Sequence, residues 1–239
     1  MRILEHSSSL RTVNILPKDP AILKRLVEVF LEENAKVNLS GHKTQASCWT
    51  GNIMDSLAAV TWINECRNME SQISLLDLGT GGGFPLLPLA ITFPKYRFVG
   101  MDSVKKKMDA VQRIVDALSI ANVSLVTGRA EELGNNAKHR EVYDIVTAKA
   151  VAETRLLLEY CAPFVKVGGH ILLWKSMNID DEISSANRAE TELNLQRKSS
   201  ISYELGGDWG QRQILVYEKT KATSKEYPRP VGSAKKSPL

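Results

Sequence analysis

The stretch LLDLGTGGGFPLLPLAI, residues 75–91, is the strongest local constraint in this chain. An apolar run ends at Asp77, four glycines fall within residues 79–83, and Pro85 precedes a second apolar run. Strand, glycine turn and helix in that order open a nucleotide-type site in a parallel α/β sheet. The dinucleotide fingerprint requires glycine at the first, third and sixth positions of such a turn. Here Gly79, Gly81 and Gly83 take the first, third and fifth, and the sixth is Phe84. A ring at that place argues against the close helix–strand packing that surrounds a pyrophosphate. It favours S-adenosylmethionine (AdoMet), whose methionine and ribose need close backbone approach but no phosphate cradle.

The rest of the chain repeats the strand–helix alternation. ISLLDLG, YRFVGMD, NVSLVTG, YDIVTAKA, HILLWKS, ISYEL and QILVYEK read as strands, with helices near 85–93, 104–118, 153–166 and 180–193 between them. Such alternation predicts a Rossmann-like, doubly wound α/β fold with a seven-stranded, mostly parallel sheet. The short Gly-Gly-Asp-Trp-Gly loop between ISYEL and QILVYEK makes the closing pair an antiparallel hairpin. That arrangement belongs to class I AdoMet-dependent methyltransferases. Residues 1–70 form a small helical segment: Asp19-Pro20 starts a helix whose Ile22, Leu23, Leu26, Val27, Phe30 and Leu31 share one face. The expected organisation is 1–70 helical, 71–220 the AdoMet-binding domain, and 221–239 a basic tail.

In an open α/β sheet, ligands lie at the carboxyl ends of the strands. Asp102 ends the second strand, placed to accept hydrogen bonds from both ribose hydroxyls, or alternatively to cap the helix that follows. TGRAEEL ends the third strand, where a backbone amide and an acidic or polar side chain can read the edge of adenine. TAKAVA ends the fourth, where the reacting methyl group and its acceptor meet.

Composition narrows the class further. No apolar run approaches the roughly 20 residues of a membrane helix, and the N-terminus makes a poor signal peptide. Cys48, Cys66 and Cys161 read as reduced, buried small hydrophobes, and the four histidines show no zinc-site spacing, so a cytoplasmic protein without a metal is expected. Net charge is +4, and residues 221–239 hold five cations and one anion, which leaves 26 of each sign in residues 1–220. A neutral body with a basic tail suggests an anionic polymer as partner.

At this point the chain resembles the RsmG (GidB) family, methyltransferases of a guanine N7 in 16S ribosomal RNA. The resemblance rests on NLS, IMDSL, DLGTGGGFPLLPLAI, MDSVKKK, GRAEEL, YDIVTAKAVA and the tail YPRPVGSAKKSPL, in family order and spacing. It implies that Gly79 and Phe84 line the AdoMet pocket, that Ala130 and Glu131 hold its adenosine end, and that Lys149 lies close to it. Gly81 and Asp102 complete the expected cofactor set. Lys149 stands where the family usually has arginine, which keeps the charge and loses the two-pronged geometry. Gly51 and Asn52 stand where the family typically has a basic residue and a histidine, while Asp55 and Ser56 are kept.

The resemblance also implies an unassisted chemistry. N7 of guanine carries no proton at neutral pH, so no general base is required, and the sequence shows no paired carboxylates, histidine cluster or Ser/His/Asp set. The RNA, naked or in the small ribosomal subunit, would be held through its phosphates by Lys149, Lys175, Arg229, Lys235 and Lys236, with Lys105, Lys106 and Lys107 as further candidates. Loss of the tail is expected to spare AdoMet binding. The protein is expected to act as a monomer. Methylation of another substrate, and a non-catalytic AdoMet- or RNA-binding assembly role, are the alternatives.

Overall fold

The computed structural model describes residues 11–12, 20–66, 72–149 and 152–239. The N-terminal residues 1–10, Asp19 of the Asp19-Pro20 helix start and the Ala150-Val151 pair of TAKAVA, all named above, lie outside them.

The helical opening is α1 (Pro20–Val37), then α2 (Gln45–Cys48), a π-helical run Trp49–Met54, α3 (Asp55–Leu57) and α4 (Val60–Glu65). Thr44 caps α2, its hydroxyl accepting from the Ser47 amide. Leu23, Leu26, Val27 and Phe30 are buried along one side of α1, as their spacing predicts. Burial of such side chains contributes about 1.5–3 kcal/mol each. They join the same apolar cluster as sheet residues Leu75, Phe98 and Ile145, so residues 20–65 form one layer of the α/β body.

The alternating part follows as β2 (Ser74–Leu78), α5 (Leu86–Thr92), β3 (Arg97–Asp102), α6 (Lys105–Ala117), β4 (Val123–Thr127), α7 (Ala130–Leu133), β5 (Tyr143–Lys149), α8 (Thr154–Cys161) and β6 (Val165–Ser176). Helices α9 (Asp180–Ser185) and α10 (Asn187–Glu192) precede β7 (Leu195–Glu204) and β8 (Gln211–Lys219), and α11 (Ser233–Lys236) lies near the end. A two-residue strand β1 (Arg11–Thr12) pairs in parallel with β7, an eighth strand beside the seven expected.

The sheet order is β1-β7-β8-β6-β5-β2-β3-β4. Strands β2 to β6 are parallel, and β8 is antiparallel to both neighbours, β6 and β7. The chain builds outward from β2 through β3 to β4, then returns to place β5 on the other side of β2. The crevice beyond β2 and β5 is therefore the topological switch point, where such sheets bind ligands. Every residue of β2 is buried; Leu75 packs with the helical opening and Leu76 with the opposite layer around α8 and α10. Strands β6 and β7 begin about six residues earlier than expected. Gly168-Gly169 masks the start of one, and the exposed Gln196, Arg197 and Lys198 mask the other, which lies near the sheet edge.

Residues 221–239 are not a solvated tail. Tyr227, Pro228, Ala234 and Leu239 are buried against the body. Arg140 donates to the carbonyls of Thr223, Ser224 and Tyr227, and Arg229 forms a two-pronged pair with Glu159, whose side chain is 1% exposed. Cys48 and Cys161 are buried as expected, while Cys66 is exposed.

Candidate functional site

A cavity of about 510 Å³ opens at the carboxyl edge of β2, β3 and β5, within the range of about 300–1,000 Å³ usual for small-molecule sites. Its floor is the glycine turn. The amides of Gly79 and Thr80 both donate to the Met101 carbonyl, which folds the turn over the end of β3. Gly81 has φ of +55°, and a Cβ built there meets only the Gly79 carbonyl oxygen, at 3.8 Å. The backbone at this point is bare toward the cavity in a conformation that L side chains rarely adopt. Phe84 is buried, edge-on to Phe30 with ring centroids 4.9 Å apart, and also lines the cavity.

Asp102 stands at the rim with both oxygens oriented by the backbone: Oδ2 accepts from the Gly81 amide at 3.0 Å and Oδ1 from the Val104 amide at 2.8 Å. Each carboxylate oxygen retains capacity for a second donor. Val104, not Asp102, is the N-cap residue of α6 and no side chain caps that helix, so Asp102 anchors the residue before the helix instead of capping it. Ala130 and Glu131 open α7 on the same wall, beside Arg129 and Tyr160. Glu131 is 8% exposed, and its Oε1 accepts from the Gly232 amide at 3.3 Å, so the C-terminal segment helps orient it. Burial, followed by the Glu131 charge, pushes the Tyr160 phenol up from its ordinary value.

The other end of the cavity is formed by Ser40, Asn52 and Lys149. The Lys149 ammonium pairs with Asp55 Oδ2 at 3.0 Å and donates to the Gly51 carbonyl at 3.0 Å. Asp55 is 2% exposed; its Oδ1 accepts from the Tyr203 hydroxyl at 2.5 Å and its carbonyl from Trp174 Nε1 at 2.8 Å. Burial and the Asp55 charge raise the Tyr203 pKa far above its ordinary value, so this hydroxyl stays a donor. A Cβ at Gly51 would lie 2.6 Å from both the His42 and the Trp209 rings, so only glycine lets those rings close over this helix. Burial, and then Lys149, hold the His42 pKa low.

Beneath the turn, Asp77 is fully buried and accepts from the Thr147 hydroxyl at 2.9 Å. Burial pushes its carboxyl up to about 6, against the lowering effect of Thr80, Thr147, the Leu86 amide and the Lys149 charge.

The structure brings Gly79, Gly81, Phe84, Asp102, Ala130, Glu131 and Lys149 to one cavity. It places the expected phosphate contacts differently. Lys175 is 8% exposed and bound to Glu182 at 2.5 Å and to the Ala152 carbonyl, an internal ion pair instead of a free cation at the sheet edge. Arg229 is likewise engaged by Glu159. Lys235 and Lys236 are exposed on α11 and have no ion pair among the described residues. Lys105 pairs with Asp109, whereas Lys107 lines the cavity. Sequence reasoning missed Tyr203 and Glu159, whose partners lie 148 and 70 residues away, and gave Asp55 no role.

The family model described as rRNA small subunit methyltransferase G (GidB) matches residues 20–214. A "Ribosomal RNA small subunit methyltransferase G" of Oenococcus oeni is 37% identical over 91% of this chain and 88% of its own length. One of the same name from Staphylococcus carnosus is 38% identical over 89% of this chain and 87% of its own. Among solved structures, a putative O-methyltransferase from Klebsiella pneumoniae superposes with a TM-score of 0.56 at 15% identity, over 87% of this chain and 93% of its own. That last likeness concerns the fold.

Proposed function

The chain belongs to the rRNA small subunit methyltransferase G family, and we infer from that membership and the cavity's chemistry that it is an AdoMet-dependent enzyme methylating N7 of a guanine in 16S ribosomal RNA. The observation that carries the inference is one cavity with a bare glycine turn and two backbone-oriented carboxylates at one end and a paired lysine at the other. AdoMet, when bound, supplies an electrophilic methyl group on a sulfonium. The residues of the cavity suit it: Gly79 and Gly81 leave room for close backbone approach, Asp102 presents acceptors for ribose hydroxyls, and Ala130 and Glu131 present an amide and a carboxylate for adenine.

Guanine N7 carries an in-plane lone pair and no proton, so the protein's task is orientation and exclusion of water. Holding the two reactants in line can lower a barrier by as much as about 7–11 kcal/mol. None of Asp102, Glu131 or Lys149 is required as a general base. Lys107, Arg129, Lys235 and Lys236 are the exposed or rim cations that would engage phosphates, each adding about 0.7 to the salt slope of single-strand binding. Residues 71–220 act as the methyltransferase domain, 1–70 as its helical cover and 221–239 as a strap carrying the last basic residues. The protein works as a monomer in the cytoplasm, where ribosomal RNA is modified. Among the described residues, no helix is long and apolar enough to cross a membrane.

The test is incubation with small ribosomal subunits lacking the modification and methyl-labelled AdoMet. Label mapping to N7 of one guanine in 16S RNA is the expected result. Label elsewhere, or none with AdoMet demonstrably bound, would overturn the reading.

A further inference from the structure

Guanine and adenine both present N7 as an acceptor and differ at the neighbouring position: guanine has the O6 acceptor, adenine an N6 amino donor. Position 6 is the difference nearest the reacting N7, so an enzyme that methylates N7 can choose between them by reading it. A fixed N–H donor beside the reacting atom is sufficient, because it bonds O6 and repels an amino group.

Lys149 meets the requirements of such a donor. It ends β5, the strand at the switch point, and lines the end of the cavity opposite Asp102 and Glu131. An ammonium has three protons. The Gly51 carbonyl takes one at 3.0 Å and Asp55 Oδ2 lies 3.0 Å away as its counter-ion, which leaves at least one proton for a ligand. With 12% of its side chain exposed, Lys149 has little freedom to turn elsewhere. The neutralising partner matters as much as the donor. Methyl transfer places positive charge on the purine, and an unpaired cation next to it would oppose that change. Asp55, held by Tyr203 and Trp174, cancels the lysine charge while leaving a polar N–H in place.

We propose that Lys149 donates its remaining N–H to O6 of the target guanine and so selects guanine over adenine, with Asp55 and Tyr203 as the residues that position it. The proposal rests on the guanine-N7 reading above. Asn52, on the same wall, is bonded through its Nδ2 only to Cys48 Sγ at 3.5 Å and offers a weaker alternative.

The test substitutes the substrate as well as the enzyme. Small subunits are reconstituted with 16S RNA bearing guanine, inosine or 2-aminopurine at the mapped position, and single-turnover rates are measured at saturating AdoMet. Inosine keeps O6, and 2-aminopurine loses it while keeping N7. Wild type should methylate inosine within about threefold of guanine and 2-aminopurine at least about tenfold more slowly, the scale of one hydrogen bond to a charged group. Lys149→Met should slow guanine by that same factor yet leave the 2-aminopurine rate near that of wild type. Lys149→Arg, which keeps a donor, should retain the preference. Asp55→Asn should move the guanine-to-2-aminopurine ratio toward one. If Lys149→Met does not fold, Lys149→Leu, which likewise carries no donor, takes its place and should lower the same ratio. Equal slowing of guanine and 2-aminopurine by the Lys149 variant would overturn the proposal, since the lysine would then act on something other than O6. A wild-type protein that leaves guanine itself unmethylated would instead refute the underlying reading, and the O6 selection with it.

Discussion

The two ends of the cavity are built by different means. At the adenosine end, Asp102 takes its orientation from amides of Gly81 and Val104, and Glu131 from the amide of Gly232. At the transfer end, Lys149, Asp55, Tyr203 and Trp174 hold one another through side chains from four separate elements, with partners 98 to 148 residues apart for the bonds of Lys149 to Gly51 and of Tyr203 to Asp55. The first end is made mostly from short motifs and would serve any AdoMet enzyme. The second depends on long-range convergence, and in the proposed function it is the end that meets the substrate. Buried pairs of that kind are costly to break because each member leaves an uncompensated partner.

The contrast is tested most severely by Asp55→Ala. It leaves the Lys149 ammonium and the Tyr203 hydroxyl without their shared acceptor, and removal of one partner of a buried pair costs about 3–5 kcal/mol. Urea denaturation should show a loss of that size, and a loss under about 1 kcal/mol would mean the transfer end is no more integrated than the other. Asp102→Ala should by comparison cost less stability, because the Gly81 and Val104 amides it releases lie at the cavity rim, and should raise the AdoMet dissociation constant about 10- to 100-fold, the scale of one to two hydrogen bonds to a charged group. Calorimetry with AdoMet measures this, and an unaltered affinity would remove Asp102 from the site.

Asp77 lies between the two ends and sharpens the comparison through pH. Its proton is held more tightly in the folded protein, where the carboxyl titrates at about 6, than in the unfolded chain near 4. Its contribution is therefore most favourable below pH 4, declines as pH rises toward about 6, and is constant beyond. The full span corresponds to up to about 3 kcal/mol. Asp77→Asn should gain stability relative to wild type over pH 4 to 6, with the gap constant at higher pH, and a gap that does not change with pH would show the carboxyl to be unperturbed. The smallest effect is expected of Glu131→Ala, a rise in the AdoMet dissociation constant below about tenfold, because one of its oxygens is already engaged by Gly232. The same contact makes removal of residues 221–239 reach the cofactor end, which a solvated tail would not do.

Much of the α/β body was legible in residue order. The glycine turn, the apolar face of α1 and Asp102 at the end of β3 stand where spacing put them, since turn dihedrals, helical periodicity and strand ends are local properties, whereas the short helix α7 that carries Glu131 has no such signal. The charge count shows the basic character of 221–239 but not its docking, which comes from burial of Tyr227, Ala234 and Leu239 against the body. Lys175 was misread for a related reason: a strand-end lysine looks free until Glu182, seven residues on, is folded back over it.

From residue order alone came the fold class and the cavity floor, because strand, turn and helix signals depend on neighbours within a few positions, whereas Asp102 and Glu131 accept from amides 21 and 101 residues away. Which cations are engaged in ion pairs, and that Lys149 pairs with Asp55, emerged only from the folded chain. Hydrogen bonds and ion pairs act over about 3 Å, and residues separated by 100 positions come that close through packing, which no local pattern encodes.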